Sequence, residues 1–378
     1  MPATMSNARF VGRDAAFVRL APALEAASDG VATTVLLEGL GGVGVSRFVA
    51  ELGRRVAGLD DPFAVIRGRA FRPGFDEPYG AIIRALRPLF QAVDDAELAR
   101  LAGPAAEDVV RLFPETAGRL SAAGALPDRP TTTALERRQG RVLEGLLGVV
   151  GRLSERQPVL LVIEDLHDAD AGSRAFVAFM SRIRRAQRVC LIGTWQQDEI
   201  TRDHPLERTL RDMPGAHEHG PARISVPPLE RAELAELVQS IEGERPTASA
   251  LVLVADRSRG LPLIAEELLA ARRELSDATM IGSFADIVIA RLARYGPECR
   301  RILRLLALAG RPIDRDELAA TAAAFELTAD RLPPRSSTLP RHSDGALDPD
   351  LAAGLEEALG VGVLVEEEEG VAFRHEHI

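Results

Sequence analysis

The sequence contains no lysine: all 46 of its basic residues are arginine. Every mechanism that needs an ε-amino group is therefore excluded, whether a phosphate-loop lysine, a Schiff base or a lysine general base. Cysteine is almost as scarce. Cys190 and Cys299 lie far apart with no CxxC spacing, which supports neither a disulfide nor a metal site, and both read as small buried apolar side chains. Long apolar runs are missing too: the longest reach about six residues, against the roughly 20 that a membrane span needs. The opening Met-Pro-Ala-Thr-Met-Ser-Asn-Ala-Arg has no apolar h-region and so is not a secretory signal. A cytoplasmic protein with no membrane partner is expected.

What is present describes a globular chain. A composition of 46% hydrophobic and 27% charged residues excludes a disordered, collagen-like or disulfide-scaffold protein. The 56 acidic residues outnumber the basic ones and give a net charge of −10, which argues against a general polyanion binder. At about 150 residues per domain the length predicts two or three domains.

Residues 10–27 read as a helix entered through Phe10-Val11-Gly12-Arg13-Asp14, with Phe17, Leu20 and Leu24 on one face and Pro22 expected to kink or shorten it. Thr33 to Leu37 is a β-branched apolar run; a glycine-rich turn follows, then a helix burying Phe48, Val49, Leu52 and Val56. That order marks a phosphate-binding βα unit. Further strands are predicted at Phe63–Ile66, Val159–Ile163, Val189–Gly193 and Ile224–Val226. Their continuous apolar character and helical spacers imply an α/β fold with a mostly parallel, doubly wound sheet. The stretch from 80 to 150 alternates helical patterns with breaks, and its elements cannot be placed.

After Pro227-Pro228 strands disappear, and a small helical domain is expected over 229–278. From 279 to 378 the pattern gives helices at 284–294 and 298–309, then a helix capped by Asp314 with Glu317 reaching back. A loop at 332–349 follows, then a helix with Leu351, Leu355 and Leu359 that stops at Gly360, and a closing hairpin with Glu366 to Glu369 at its tip. Helices closed by a hairpin suggest a winged helix. Its acidic tip would repel nucleic-acid phosphates, so any DNA-binding element is expected beyond Ile378, in a longer protein of which this chain reads as a fragment.

Gly39-Leu40-Gly41-Gly42-Val43-Gly44-Val45-Ser46 fits the frame G-x-x-x-x-G-K-[ST] at every defined position but one. The glycines let backbone N–H groups converge on phosphate oxygens, and the next helix adds its positive N-terminal end. Ser46 stands where a Mg²⁺-binding hydroxyl belongs, but the lysine position holds Val45. The backbone cradle survives valine. Each lost charge-assisted bond is worth roughly 1.5–3 kcal/mol, and the lost charge also neutralises phosphoryl transfer, so hydrolysis should fall by orders of magnitude. Arg47, the nearest cation, points about 100° further round the helix. The candidate nucleotide contacts in this loop are Gly39, Gly41, Gly42, Val43, Gly44, Val45, Ser46 and Arg47.

With these residues in place, the chain resembles the STAND class of P-loop NTPases, specifically the ATPase module of large LuxR-type (MalT-like) bacterial transcriptional regulators. The resemblance rests on ordered pieces: Phe10-Val11-Gly12-Arg13, the glycine loop, Val162-Ile163-Glu164-Asp165-Leu166-His167-Asp168-Ala169-Asp170, Gly193-Thr194-Trp195-Gln196-Gln197-Asp198-Glu199, Gly260-Leu261-Pro262-Leu263, and Phe373-Arg374-His375. It implies ATP or ADP with Mg²⁺ as cofactor. Val11, Gly12 and Arg13 would line adenine and ribose; Glu164 would hold the Mg²⁺ shell through water, with Asp165 activating the attacking water; Pro262 would pack on the base from the helical lid, 229–278. The winged helix would act as a switch, with protein partners or self-association as its output.

The departures from the family matter as much. Besides Val45, the family's Tyr-Arg after Gly-Thr is Trp195-Gln196, and Asp168 stands where tryptophan is common. Both γ-phosphate cations are thus absent. The leading expectation is a regulatory ATP/ADP-binding switch, weak or dead in hydrolysis. Two alternatives stay open: a pseudo-ATPase interaction scaffold, and a working ATPase rescued by an arginine in trans. Trp195, the one tryptophan, is expected near the nucleotide pocket.

Overall fold

The computed structural model describes residues 9–71, 78–126, 135–182, 186–214, 221–274, 288–289, 292–330, 348–361, 363–367 and 370–373. Almost all of the predicted loop 332–349, most of the predicted helix 284–294, and Glu368 and Glu369 lie outside them. The chain forms two compact units, Gly12–Pro227 and a second made of Met1–Val11 with Pro228–Ile378.

The first unit is built on a five-stranded sheet, β1 (Thr33–Gly39), β2 (Ala64–Arg69), β3 (Val159–Glu164), β4 (Val189–Gln196) and β5 (Ala222–Ser225), in the order β2-β3-β4-β1-β5. Every pairing is parallel. β3 is buried at every position, and β4 at all but its last, as strands covered on both faces must be. β4 runs between β1 and β3, with Gly39 opposite Gln196 and, across β2 and β3, Arg69 opposite Glu164. The loops leaving β1, β3 and β4 therefore emerge at one edge, where parallel sheets place their ligands.

α1 (Asp14–Ser28) continues through Pro22 and is not shortened by it. Proline withholds the donor that would have met the carbonyl of Val18, and that residue is 71% exposed, so water can serve there. α1 lies on α2 (Val45–Ala57) through stacked Phe17 and Phe48, with ring centroids 4.3 Å apart. α2 buries Phe48, Val49, Leu52 and Val56 as the spacing predicted.

The stretch that sequence could not place is a set of short helices: α3 (Gly80–Ala92), α4 (Asp95–Ala102), α5 (Ala106–Leu112) and α6 (Ala117–Ala122), then the long α7 (Leu135–Ser154). Phe90 and Phe113 meet edge to face at 4.8 Å in their shared core. α8 (Ala171–Arg182) and α9 (Pro205–Asp212) complete the unit. Asp170 ties α3 to α8: its carboxylate accepts from the backbone N–H of Tyr79, Gly80, Gly172 and Ser173 and from the Ser173 hydroxyl.

In the second unit, α10 (Arg231–Glu242), α11 (Ala248–Ser258) and α12 (Pro262–Glu274) share a small core of Leu234, Leu237, Val238, Val254, Ala265 and Leu269. A separate core gathers α13 (Pro297–Ala309), α14 (Arg315–Asp330), α15 (Pro349–Gly360) and the antiparallel hairpin of β6 (Leu364–Glu367) and β7 (Gly370–Phe373). Asp314 caps α14 by accepting from the Glu317 N–H, but the Glu317 carboxylate takes the Arg311 guanidinium instead of reaching back. Pairing with a full opposite charge takes the place of the expected bond from the backbone N–H. Among the described residues no helix is long and apolar enough to cross a membrane.

Candidate functional site

The loop between β1 and α2 is shaped by close backbone packing. A side-chain carbon on Gly39 would lie 2.6 Å from Val43 Cγ1 and 2.8 Å from Val45 Cγ2, so only glycine closes the strand. The Val43 N–H donates to the Leu40 carbonyl at 3.1 Å and forms the turn. Gly44, at φ 93°, caps α2 in the left-handed region that side chains avoid. Val43 is buried, Val45 is half-buried with its side chain folded back onto Gly39, and Ser46 is exposed at the first turn of α2. The glycine turn expected between strand and helix is therefore formed by the backbone. Where a lysine would reach outward, a valine fills the loop from inside. Arg47 is half-buried one position further on.

Three bonds to this loop escaped sequence reading. Arg13, buried and held at φ 71°, donates a guanidinium N–H to the Val43 carbonyl at 2.8 Å, and so braces the loop from the segment before α1. From the other side, the chain leaving β4 folds over the loop. The Gln197 N–H donates to the Gly39 carbonyl at 2.9 Å, and the Gly41 N–H donates to Asp198 Oδ1 at 3.0 Å. The segments around Gly12 and Gln197, read from sequence as separate motifs, meet on the same turn.

The β3 end is built differently, from side chains. Glu164 and Asp165 are 4% and 5% exposed, so each needs a partner for its charge. Both find one on β2. Glu164 Oε1 accepts from Arg67 Nε at 3.1 Å and Nη2 at 2.5 Å, while Asp165 Oδ2 accepts from Arg69 Nε at 2.6 Å. The strand register explains this: Arg67 and Arg69 share one face of β2, beside the end of β3. Between them Gly68 allows α3 to approach, and Arg84 on α3 donates to the Arg69 carbonyl at 2.7 Å. Asp165 sits at φ 59°, its N–H donating to Thr194 Oγ1 at 3.1 Å, which fixes the turn against β4. Sequence held a signal for this pairing, two arginines at alternate positions just past the predicted strand Phe63–Ile66, but the strand order was needed to read it.

At the end of β4, Gln196 stands where a phosphate-sensing cation was missed. Its Oε1 is buried with no hydrogen-bond partner among the described residues, and its N–H donates to His167 Nδ1 at 3.4 Å. His167 is buried, with Nε2 3.8 Å from Asp168 Oδ2. Trp195 is buried in the core that also holds Leu166, Leu206 and Met213. The remaining expected contacts belong to the second unit: Val11 is half-buried, and Pro262 opens α12.

Residues 9–192 match the family described as AAA ATPase domain. Over its full length the chain is similar to a signal transduction ATPase with numerous domains (STAND) protein with a tetratricopeptide repeat sensor from Pyrococcus horikoshii, at 15% identity and a TM-score of 0.50. It covers 100% of this chain and 43% of that one, so this chain spans under half of that protein's length. Weaker likenesses are to the Drosophila ORC bound to DNA (14% identity, TM-score 0.42, covering 95% of this chain and 82% of that one) and to a Thermotoga maritima RuvB mutant (14%, 0.36, 100% and 96%). No curated protein sequence matches the chain. At these identities the STAND likeness shows the fold, that of a P-loop NTPase.

Proposed function

We propose that this chain is a nucleotide-binding switch module that holds ADP or ATP and does not turn ATP over at a useful rate. One observation carries the reading: the glycine turn closes between β1 and α2, yet no cationic side chain stands at the lysine position or at the end of β4, where Val45 and Gln196 lie. The amides of the loop and of the first turn of α2 are suited to hold phosphate oxygens. The left-handed Gly44 and the close approach at Gly39 fix the turn between strand and helix that such a role requires.

Mg²⁺ fits less fully. Ser46 offers an exposed hydroxyl, but Glu164 already shares its charge with Arg67, and Asp165 is held by Arg69. Ser46 would offer its hydroxyl to the ion, and Glu164 would hold the ion's shell through water. A bound triphosphate would supply an anhydride bond; Asp165, which would take a proton from an attacking water, has its Oδ2 engaged by Arg69. An arginine contribution at such a site can be worth about 10³–10⁵ in rate, and its absence sets the scale of the loss.

In the same reading, 229–278 is a helical lid that brings Pro262 to the base, 279–378 is a winged-helix domain, and Val11 with Gly12 and Arg13 borders the adenosine. The whole would serve a LuxR-type transcriptional regulator, with DNA contacted through a domain outside this chain. The sequence resemblance and the STAND likeness support this assignment. Isothermal titration of the purified chain with ADP and ATP tests the nucleotide reading. Weak binding is expected, tightened at least about tenfold by Val45→Lys. Binding by neither the native chain nor that variant would overturn it.

A further inference from the structure

We infer that Asp198 is a built-in rival of the terminal phosphate, so the loop prefers a nucleoside diphosphate to a triphosphate. The inference rests on the nucleotide reading above and deepens it. Four observations support it. The Gly41 N–H, one of the loop amides expected to face phosphate, already donates to Asp198 Oδ1 at 3.0 Å. The segment carrying Asp198 is not loosely placed, because the Gln197 N–H is anchored on the Gly39 carbonyl at 2.9 Å and the Ile200 N–H on the Gln197 carbonyl at 3.3 Å. The two positions at which the resemblance places a cation for the outer phosphates, Val45 and Gln196, are neutral. Glu199 adds a second exposed carboxylate beside it.

The direction of the preference follows from the order of the loop. The N-terminal turn of α2, from Gly44 to Ser46, is the positive end of the helix and takes the inner phosphates. A phosphate chain that begins there runs back along the loop toward Gly41, on the side where β4 ends. Its third phosphate then meets an amide already satisfied and a negative charge already in place. Seating that phosphate breaks the Gly41–Asp198 bond or brings like charges together, and a diphosphate does neither. Asp198 is a specificity-determining residue in this account and takes no part in chemistry.

The test is the ratio of ATP to ADP affinity, measured by calorimetry on the full chain and on Asp198→Asn. Asparagine keeps an oxygen that can accept from Gly41, so a purely structural role for Asp198 would leave the ratio unchanged. The inference expects Asp198→Asn to tighten ATP by about fivefold or more while ADP moves little, and expects the gain to shrink as salt is raised. Glu199→Gln, which removes the neighbouring charge without touching Gly41, should shift the ratio far less. If ADP binds and the ratio is the same in the native chain and Asp198→Asn, the inference falls and the nucleotide reading stands. If neither nucleotide binds the native chain or Val45→Lys, both fall together.

Discussion

The two halves of the candidate site are built in opposite ways. The β1–α2 loop is held by its backbone and carries no cation at Val45: Gly39, Gly42 and Gly44 hold the turn while valines pack inside it. The end of β3 is held by charge, Glu164 and Asp165 being paired with Arg67 and Arg69. A cradle made of amides tolerates the loss of a side chain, since its geometry is set by glycine conformation and by the strand and helix on either side. A pair of buried carboxylates does not tolerate isolation. Two arginines in the adjoining strand neutralise them, in a chain that has no lysine to offer.

This contrast can be broken by substitution, and the largest effect is expected at Gly68. A side-chain carbon there would overlap the Ala81 carbonyl oxygen and lie 2.8 Å from Ala85 Cβ and 2.9 Å from its backbone nitrogen. Gly68→Ala should push α3 off the sheet and cost about 3 kcal/mol or more, seen as a fall of roughly 10 °C in Tm. An unshifted melt would mean that α3 does not seat against the arginine strand as described.

Arg67→Ala comes next. It leaves Glu164 short of its partner in a nearly buried position, and a cost of about 2 kcal/mol is expected, below that of a fully buried pair because Arg67 is itself 42% exposed. Millimolar Mg²⁺ should recover part of that loss in a thermal melt of the variant and little in the native chain. Equal responses would show that the arginine does not stand between the acid and a cation.

The smallest effect is expected on the loop. Val45→Lys should change stability by no more than about 0.5 kcal/mol, since the side chain is half-buried and a lysine stem can cover Gly39 as valine does. A large destabilisation would make the loop a side-chain structure after all and erase the comparison.

Much of this architecture was legible before any coordinates. The run Thr33–Leu37, the glycine turn and the spacing of Phe48, Val49, Leu52 and Val56 specify a strand, loop and helix through local signals, and the all-apolar Val159–Ile163 fits the covered strand it forms. The α3–α6 region was not legible. Its helices are only 6 to 13 residues long and are separated by breaks such as Gly103-Pro104 and Pro114, too short for periodicity to stand out. The site divides in the same way. Its glycines and acids announce themselves in sequence, whereas the Arg67–Glu164, Arg69–Asp165, Arg13–Val43 and Gly41–Asp198 contacts join residues 30 to 157 positions apart. Strand order creates these contacts, and no local pattern encodes it. Pro22 shows the reverse error, a strong local rule overridden because the helix carries it on an exposed stretch.

The central claim is that a triphosphate cradle persists here without the charges needed to break the phosphate bond. Phosphate release from ATP and Mg²⁺ by the purified full chain tests this most directly, read alongside the titration that reports binding. The account predicts measurable nucleotide binding with release indistinguishable from buffer; turnover near one per second, about the lower end of ordinary enzymes, would contradict it.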